Sequence, residues 1–297
     1  MGRSGVRKYE AAWAWFFVAP AVLGFALFAV GPIAASLAMS FTDWPIISAP
    51  TWVGAGNYAR LFMRDPLFWQ SLKVTVIYAA GSVPLGLAAA FALAMLLNQG
   101  LRGLGLFRTV FYVPSIFPVV ASSVLFLWFF NPEFGLLNAG LRFLHLPRSQ
   151  WVYSSSTALP SLILMSLWGI GGTMVIFLAG LQDVPRHLYE AVDIDGGTTR
   201  HKLRHVTIPM ITPIILFNLV LSLIHALQTF TQAYVMTQGG PNNATLFYVF
   251  YLYRTAFADG QMGYAAALAW VLFVIIVALT ALVFRSSSRW VYYEGER

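Results

Sequence analysis

Residues 264–284 read YAAALAWVLFVIIVALTALVF, a run without one charged side chain that ends at Arg285. A helix needs about 20 consecutive, largely apolar residues to cross the hydrocarbon core of a bilayer, and this run is long enough. Upstream, the same signature recurs in blocks at approximately 13–39, 74–97, 109–130, 158–181 and 211–232, and none of the six contains Asp, Glu, Lys or Arg. A charge at the bilayer centre costs about 2.5 kcal/mol or more on insertion scales, so its absence from every block marks them as spans. The composition agrees: 59% of residues are hydrophobic and 10% charged, where a soluble domain carries about 25% charged residues. Mean hydropathy is +0.71. The strict alternation over short segments that marks an outer-membrane barrel is absent. The expected fold is therefore all-α, a polytopic membrane protein of six transmembrane helices in a single domain, 1–297.

Basic residues set the expected orientation, because short loops rich in Lys and Arg stay on the cytoplasmic side. With the N-terminus inside, Arg3, Arg7, Lys8, Arg102, Arg108, Arg186, Arg200, Lys202, Arg204, Arg285, Arg289 and Arg297 are cytoplasmic. Arg60, Arg64, Lys73, Arg142, Arg148 and Arg254 lie opposite, so the 18 basic residues divide two to one. Both termini are predicted inside. The net charge of +7 then reflects topology; no basic stripe with interleaved aromatics points to nucleic acid. The first block is too long for a signal-peptide core of 7 to 15 residues and reads as an uncleaved span. The absence of cysteine excludes disulfides, thiolate metal sites and cysteine nucleophiles.

Two connections stand out. Residues 182–208 are polar, cytoplasmic by the charge count, and patterned as two short helices. Asp183 is the predicted N-cap of the first, Pro185 is tolerated in its first turn, and Leu188, Ala191 and Val192 share one side. Gly196 and Gly197 end it; a second helix starts near Thr198 and runs to Pro209. By spacing alone this is either a hairpin that docks a partner or an amphipathic pair resting on lipid headgroups. The outer connection, 234–262, carries GGPNN at 239–243, a strong turn signal read as a reversal.

The hairpin is also where the residues become specific. EAVDIDGG at 190–197, followed by Ile208-Pro209 and Pro213, resembles the EAA loop of ABC importer permeases. Val192 stands where that family has its second alanine, and Met210 follows Pro209 in a slightly altered close. Independently, YVMT at 234–237 with GGP at 239–241, NAT at 243–245, Tyr253-Arg254 with Ala256-Phe257, and GYAAA at 263–267 are similar to the carbohydrate branch of that family. FYVP at 111–114 and NPEFG at 131–135 add to the likeness, which covers nearly the whole chain. The branch includes the maltose, trehalose and glycerol-phosphate permeases.

The resemblance implies a membrane subunit of a binding-protein-dependent importer in a bacterial inner membrane, with no catalytic residue of its own. It implies a second homologous permease, two ATP-binding subunits that hold ATP and Mg, and a periplasmic or lipid-anchored solute-binding protein. The chain has no P-loop: its lysines are Lys8, Lys73 and Lys202, and none follows glycine. Coupling to the ATPase is assigned by the motif to Glu190, Ala191, Asp195, Gly196 and Arg200. Glu190 would meet a basic residue, and Gly196 would let the chain turn tightly.

A polar stripe marks the candidate pathway. Asn218, Ser222, His225, Thr229 and Gln232 recur at steps of four, three, four and three, which places them on one helix face. Such a stripe lines a cavity or hydrogen-bonds helices to one another. The resemblance implies that the fourth block shares the sugar site through Ser166, Trp168, Gly169, Gly172 and Thr173. Trp168 either stacks on a sugar ring or packs in the bundle. His225 has no second His or acid on its face, so a metal site is not expected. The spans offer no Arg or Lys for a phosphate, which favours a neutral di- or oligosaccharide over glycerol-phosphate or a related polyol ester. An intramembrane enzyme would need a nucleophile with its base or a metal cluster, and none is visible.

Overall fold

The computed structural model describes residues 3–100 and 102–292, so Arg297 of the predicted cytoplasmic set lies outside the described residues. Among the described residues three helices are long and apolar enough to cross a membrane: Trp13–Met39, Pro66–Leu97 and Met262–Ser287. Three further spans are bent pairs: Leu104–Ile116 with Val119–Phe129 at 99°, Ala158–Gly169 with Gly171–Asp183 at 49°, and Thr199–Met210 with Thr212–Leu227 at 63°. Counted together they give up to six, one for each block, although three are broken and in the fifth pair only Thr212–Leu227 falls within its block, Thr199–Met210 being the second helix of the predicted hairpin.

The breaks fall where the backbone chemistry demands. Pro114 and Pro118 interrupt the third span; Phe117, which precedes a proline, is extended at φ −66° and ψ 137°. The fourth changes direction at Gly169–Gly171 after a short 3₁₀ turn, Leu167–Gly169. A Cβ on Gly171 would lie 2.4 Å from the Phe111 carbonyl oxygen, so only glycine lets these backbones meet. The fifth bends between Pro209 and Pro213, each lacking the N–H that would continue the ladder.

The chain divides into two compact units. The first joins Met1–Asp65 to Leu252–Leu272. Its strands β1 (Thr42–Asp43) and β2 (Thr51–Trp52) pair antiparallel, with Thr42 opposite Trp52. Asn57 stitches this corner, its Nδ2 donating to the carbonyls of Ser40 and Thr42 at 2.9 Å each. Across the most apolar window of the first span no residue is buried within the chain.

The second unit, Pro66–Tyr251 with Phe273–Arg297, packs the second span against the fourth and fifth. Ala90 and Ala94 on the second span meet Met174, Phe177 and Leu178 on the fourth, and Ile211 from the fifth. Small residues facing large ones let the helices close up where lipid supplies no hydrophobic drive.

The connection after the fifth span is more than the predicted reversal. Gln238, Gly239, Asn242 and Asn243 take positive φ angles of 48°, 83°, 51° and 57°, as the turn signal requires. Leu246, Phe247 and Tyr248 are then fully buried, and Tyr248–Tyr253 forms a helix. Thr75 Oγ1 of the second span accepts the Tyr248 N–H at 2.9 Å. Two expectations near the hairpin are also corrected. Asp183 is the last residue of the fourth span's helix rather than a cap, and Pro185 takes the N-cap position of the next helix. Pro185 offers no side-chain acceptor, so this helix starts without a side-chain cap on its first N–H groups.

Candidate functional site

One cavity of about 350 Å³ opens in the second unit. The second span contributes Tyr78, Ser82, Val83 and Gly86; the third, Val119; the fourth, Ser166, Gly169, Ile170 and Thr173; the fifth and its continuation, Ser222, His225, Ala226, Thr229 and Gln232. The Tyr78 phenol sits among Ser82, Ser166 and Thr229. No lining side chain is Asp, Glu, Lys or Arg. In spans otherwise apolar, this is a compact set of hydroxyl, amide and imidazole groups around a space of ligand size.

Of the ten pocket residues read from the sequence, the structure gathers seven on this wall: Ser166, Gly169, Thr173, Ser222, His225, Thr229 and Gln232. The other three do not line it. Trp168 turns its ring edge-on to Phe126, with centroids 5.8 Å apart, and does not stand over the cavity. Gly172 faces open space, where an added Cβ would meet nothing within 4 Å. Asn218 is 2% exposed, with Nδ2 buried and unpartnered. The stripe also leaves its helix: Thr212–Leu227 stops before Thr229, and Gln232 reaches the cavity only because the chain turns at 228–230.

Tyr78, Ser82 and Gly86 were missed, although their steps of four put them on one face of one helix. The signal was present but diluted, since glycine and a single serine do not stand out in an apolar run. The aromatic surface in the lining is Tyr78, in place of the expected Trp168.

The hairpin is built differently. Helix Arg186–Ile194 lays Leu188, Tyr189 and Val192 against the apolar cluster of the second, fourth and fifth spans, while Ala191, expected on that side, faces out. Glu190, Ala191, Asp195, Gly196 and Arg200 are all exposed, and so is Ile194, at 86%. Gly196 has φ +72°, a conformation that costs other L-residues about 1–2 kcal/mol. Thr198 starts the next helix, with its N–H donating to His201 Nδ1 at 3.1 Å. Five residues assigned from a motif thus share one exposed tip. Among the described residues no cluster of three His, Asp or Glu gathers as a metal site would need.

Residues 82–291, which hold both the cavity and the hairpin, match the family described as binding-protein-dependent transport system inner membrane component. The chain belongs to this family. As a member it is a multi-pass inner-membrane permease subunit of an ABC importer, a non-catalytic part of the machine. It is 42% identical to the probable ABC transporter permease protein YesP of Bacillus subtilis (strain 168), over 94% of this chain and 92% of that one. It is 35% identical to the lactose transport system permease protein LacF of Rhizobium radiobacter, over 95% and 96%. Among solved structures it superposes on a chain of a bacterial ABC transporter that imports the acidic polysaccharide alginate. That match has TM-score 0.84 and 21% identity, covering 97% of this permease and 99% of its counterpart. At that identity the likeness to that structure is one of fold.

Proposed function

We propose that this permease forms one half of a membrane pathway for a neutral sugar, a di- or oligosaccharide, and that its cavity contacts the sugar in transit. The observation that carries this reading is the lining itself. Sugar hydroxyls need donors and acceptors, which Tyr78, Ser82, Ser166, Thr173, Ser222, His225, Thr229 and Gln232 offer, and an uncharged lining suits an uncharged ligand. A phosphate ester would leave its charge without an Arg or Lys partner at this wall. The 35% identity to a lactose permease supports the same class.

The exposed tip with Glu190, Ala191, Asp195, Gly196 and Arg200 docks an ATP-binding subunit, in this reading, while a second homologous permease completes the pathway and a binding protein delivers the sugar. ATP and Mg belong to the two ATP-binding subunits. Both termini and the hairpin face the cytoplasm, from the two-to-one bias of basic residues. The test is reconstitution with these partners in vesicles, measuring ATP-dependent uptake across a panel of neutral saccharides and glycerol phosphate. Saturable uptake of a neutral saccharide is expected. Uptake restricted to glycerol phosphate would replace this substrate with the anionic alternative.

A further inference from the structure

The Arg186–Ile194 helix and the helix after it are joined by a ring of polar contacts. Tyr189 and Asp193 lie one turn apart on the same helix face. Lys202 Nζ stands 2.6 Å from Asp193 Oδ1 and 2.7 Å from Oδ2. Thr207 Oγ1 donates to the Lys202 carbonyl at 3.3 Å, so Tyr189 Oη, 3.1 Å away, is the donor to Thr207 Oγ1. The ring closes through Lys202, which takes part with both its ammonium group and its carbonyl. Lys202 and Thr207 also bracket the π turn Leu203–Thr207, where the helix ladder is irregular.

The ring spans the turn that would otherwise bend most easily. Gly196 and Gly197 connect the two helices, and two glycines in sequence are a ready hinge. Here the turn is packed tight: a Cβ on Gly197 would lie 2.4 Å from Val192 Cγ1 and 2.8 Å from the Val192 carbonyl oxygen. An ion pair with Asp193 57% exposed contributes little to stability by itself. Its effect is geometric, because two contacts on successive turns oppose rotation about a single hinge.

We propose that Tyr189, Asp193, Lys202 and Thr207 form a clasp that makes residues 186–210 one rigid lever, so that displacement of the docking helix is delivered to the fifth span and not absorbed at the Gly196–Gly197 turn. The inference rests on the reading of the hairpin as the ATPase-docking element. The four are positioning residues: Asp193 stands within the EAVDIDGG stretch and is exposed, but its carboxylate is engaged by Lys202, and Tyr189, Lys202 and Thr207 lie outside that stretch. The same lever leads into Thr212–Leu227, which carries Ser222 and His225 to the cavity.

The test uses the natural absence of cysteine. Cysteines placed at Ile194 and Arg204, both exposed, are spin-labelled in the complex assembled with the partner permease and the ATP-binding subunits. Distances are measured without nucleotide and after trapping with ATP and vanadate. The parent should give the same narrow distribution in both states. Lys202→Asp should lose it, Tyr189→Phe should broaden it partially, and the swap Asp193→Lys with Lys202→Asp should restore it. A parent distance that shifts on trapping, a narrow distribution in Lys202→Asp, or a swap no better than the single change would each overturn the clasp. Co-purification of the ATP-binding subunits is read on the same preparations together with Glu190→Lys. Full retention in Glu190→Lys overturns the docking reading and the proposal with it; lost retention there, with unbroken distances in Lys202→Asp, overturns the clasp alone.

Discussion

The hairpin and the cavity lie in the same unit, but their residues are distributed along the chain in opposite ways. The hairpin tip draws its five candidate residues, all exposed, from within eleven consecutive positions, 190–200. The cavity draws its lining from four spans between Tyr78 and Gln232. A contiguous exposed site is constrained by local turn chemistry and by the surface it presents. A dispersed buried site is constrained by how separate helices happen to face each other, so its members are visible only after the helices are packed. The two regions should accordingly respond to substitution in different ways, one through assembly and the other through substrate dependence.

The largest expected effect is at the hairpin. Reversing Glu190 to Lys should remove ATP-binding subunits from the purified complex, because an ion pair desolvated in an interface is worth about 2–5 kcal/mol when one partner is lost. The chain should still insert. Unchanged subunit stoichiometry together with unchanged stimulated ATP hydrolysis would remove the distinction drawn for this region. Gly196→Val should act in the same direction but more weakly, through about 1–2 kcal/mol of left-handed strain at φ +72°.

Next come the cavity residues. Ser222→Ala, His225→Ala and Thr229→Ala each leave a sugar hydroxyl without a partner, at about 1–3 kcal/mol. This corresponds to roughly a five- to hundredfold rise in the sugar-loaded binding protein needed for half-maximal uptake. Complex yield should hold. Lower yield with unaltered concentration dependence would mean that the polar face holds helices together.

The smallest effects sharpen the boundary of the site. Asn218→Leu should leave concentration dependence alone and match or exceed the parent in thermal stability, since it removes a buried amide nitrogen that has no partner. Trp168→Ala should lower the melting temperature through its lost contact with Phe126, an aromatic pair worth about 0.5–1.5 kcal/mol beyond area. A large change in apparent affinity from either variant would enlarge the cavity lining beyond what the geometry shows.

These contrasts also explain what the sequence made legible. The spans were plain because the bilayer forbids charge over a fixed length; their bends at the proline and glycine positions were not read, because those residues also occur in straight spans. The hairpin was plain because its turn and caps are local, except that Asp183 proved to be the end of one helix and not the cap of the next. Asn218 was misplaced because a polar stripe at helical spacing gives a direction but not a depth. Its face is right, yet its depth falls where the helices have already closed. Tyr78 was overlooked because one phenol in an apolar run looks like packing until Ser166 and Thr229 come in from other spans. Phe247 and Tyr248 escaped notice because they follow a turn signal, and chain after a turn is read as surface.

If the cavity wall contacts the sugar during transport, delivered sugar should shield that wall from a thiol reagent. Cysteines at Ser82, Thr229 and Trp168, each introduced singly into this cysteine-free chain, are exposed to a small thiol reagent in the reconstituted complex, with and without sugar-loaded binding protein under vanadate-trapped conditions. Labelling at Ser82 and Thr229 should fall when sugar is delivered, while labelling at Trp168 should not change. Equal labelling at Ser82 and Thr229 with and without the delivered sugar would contradict that contact.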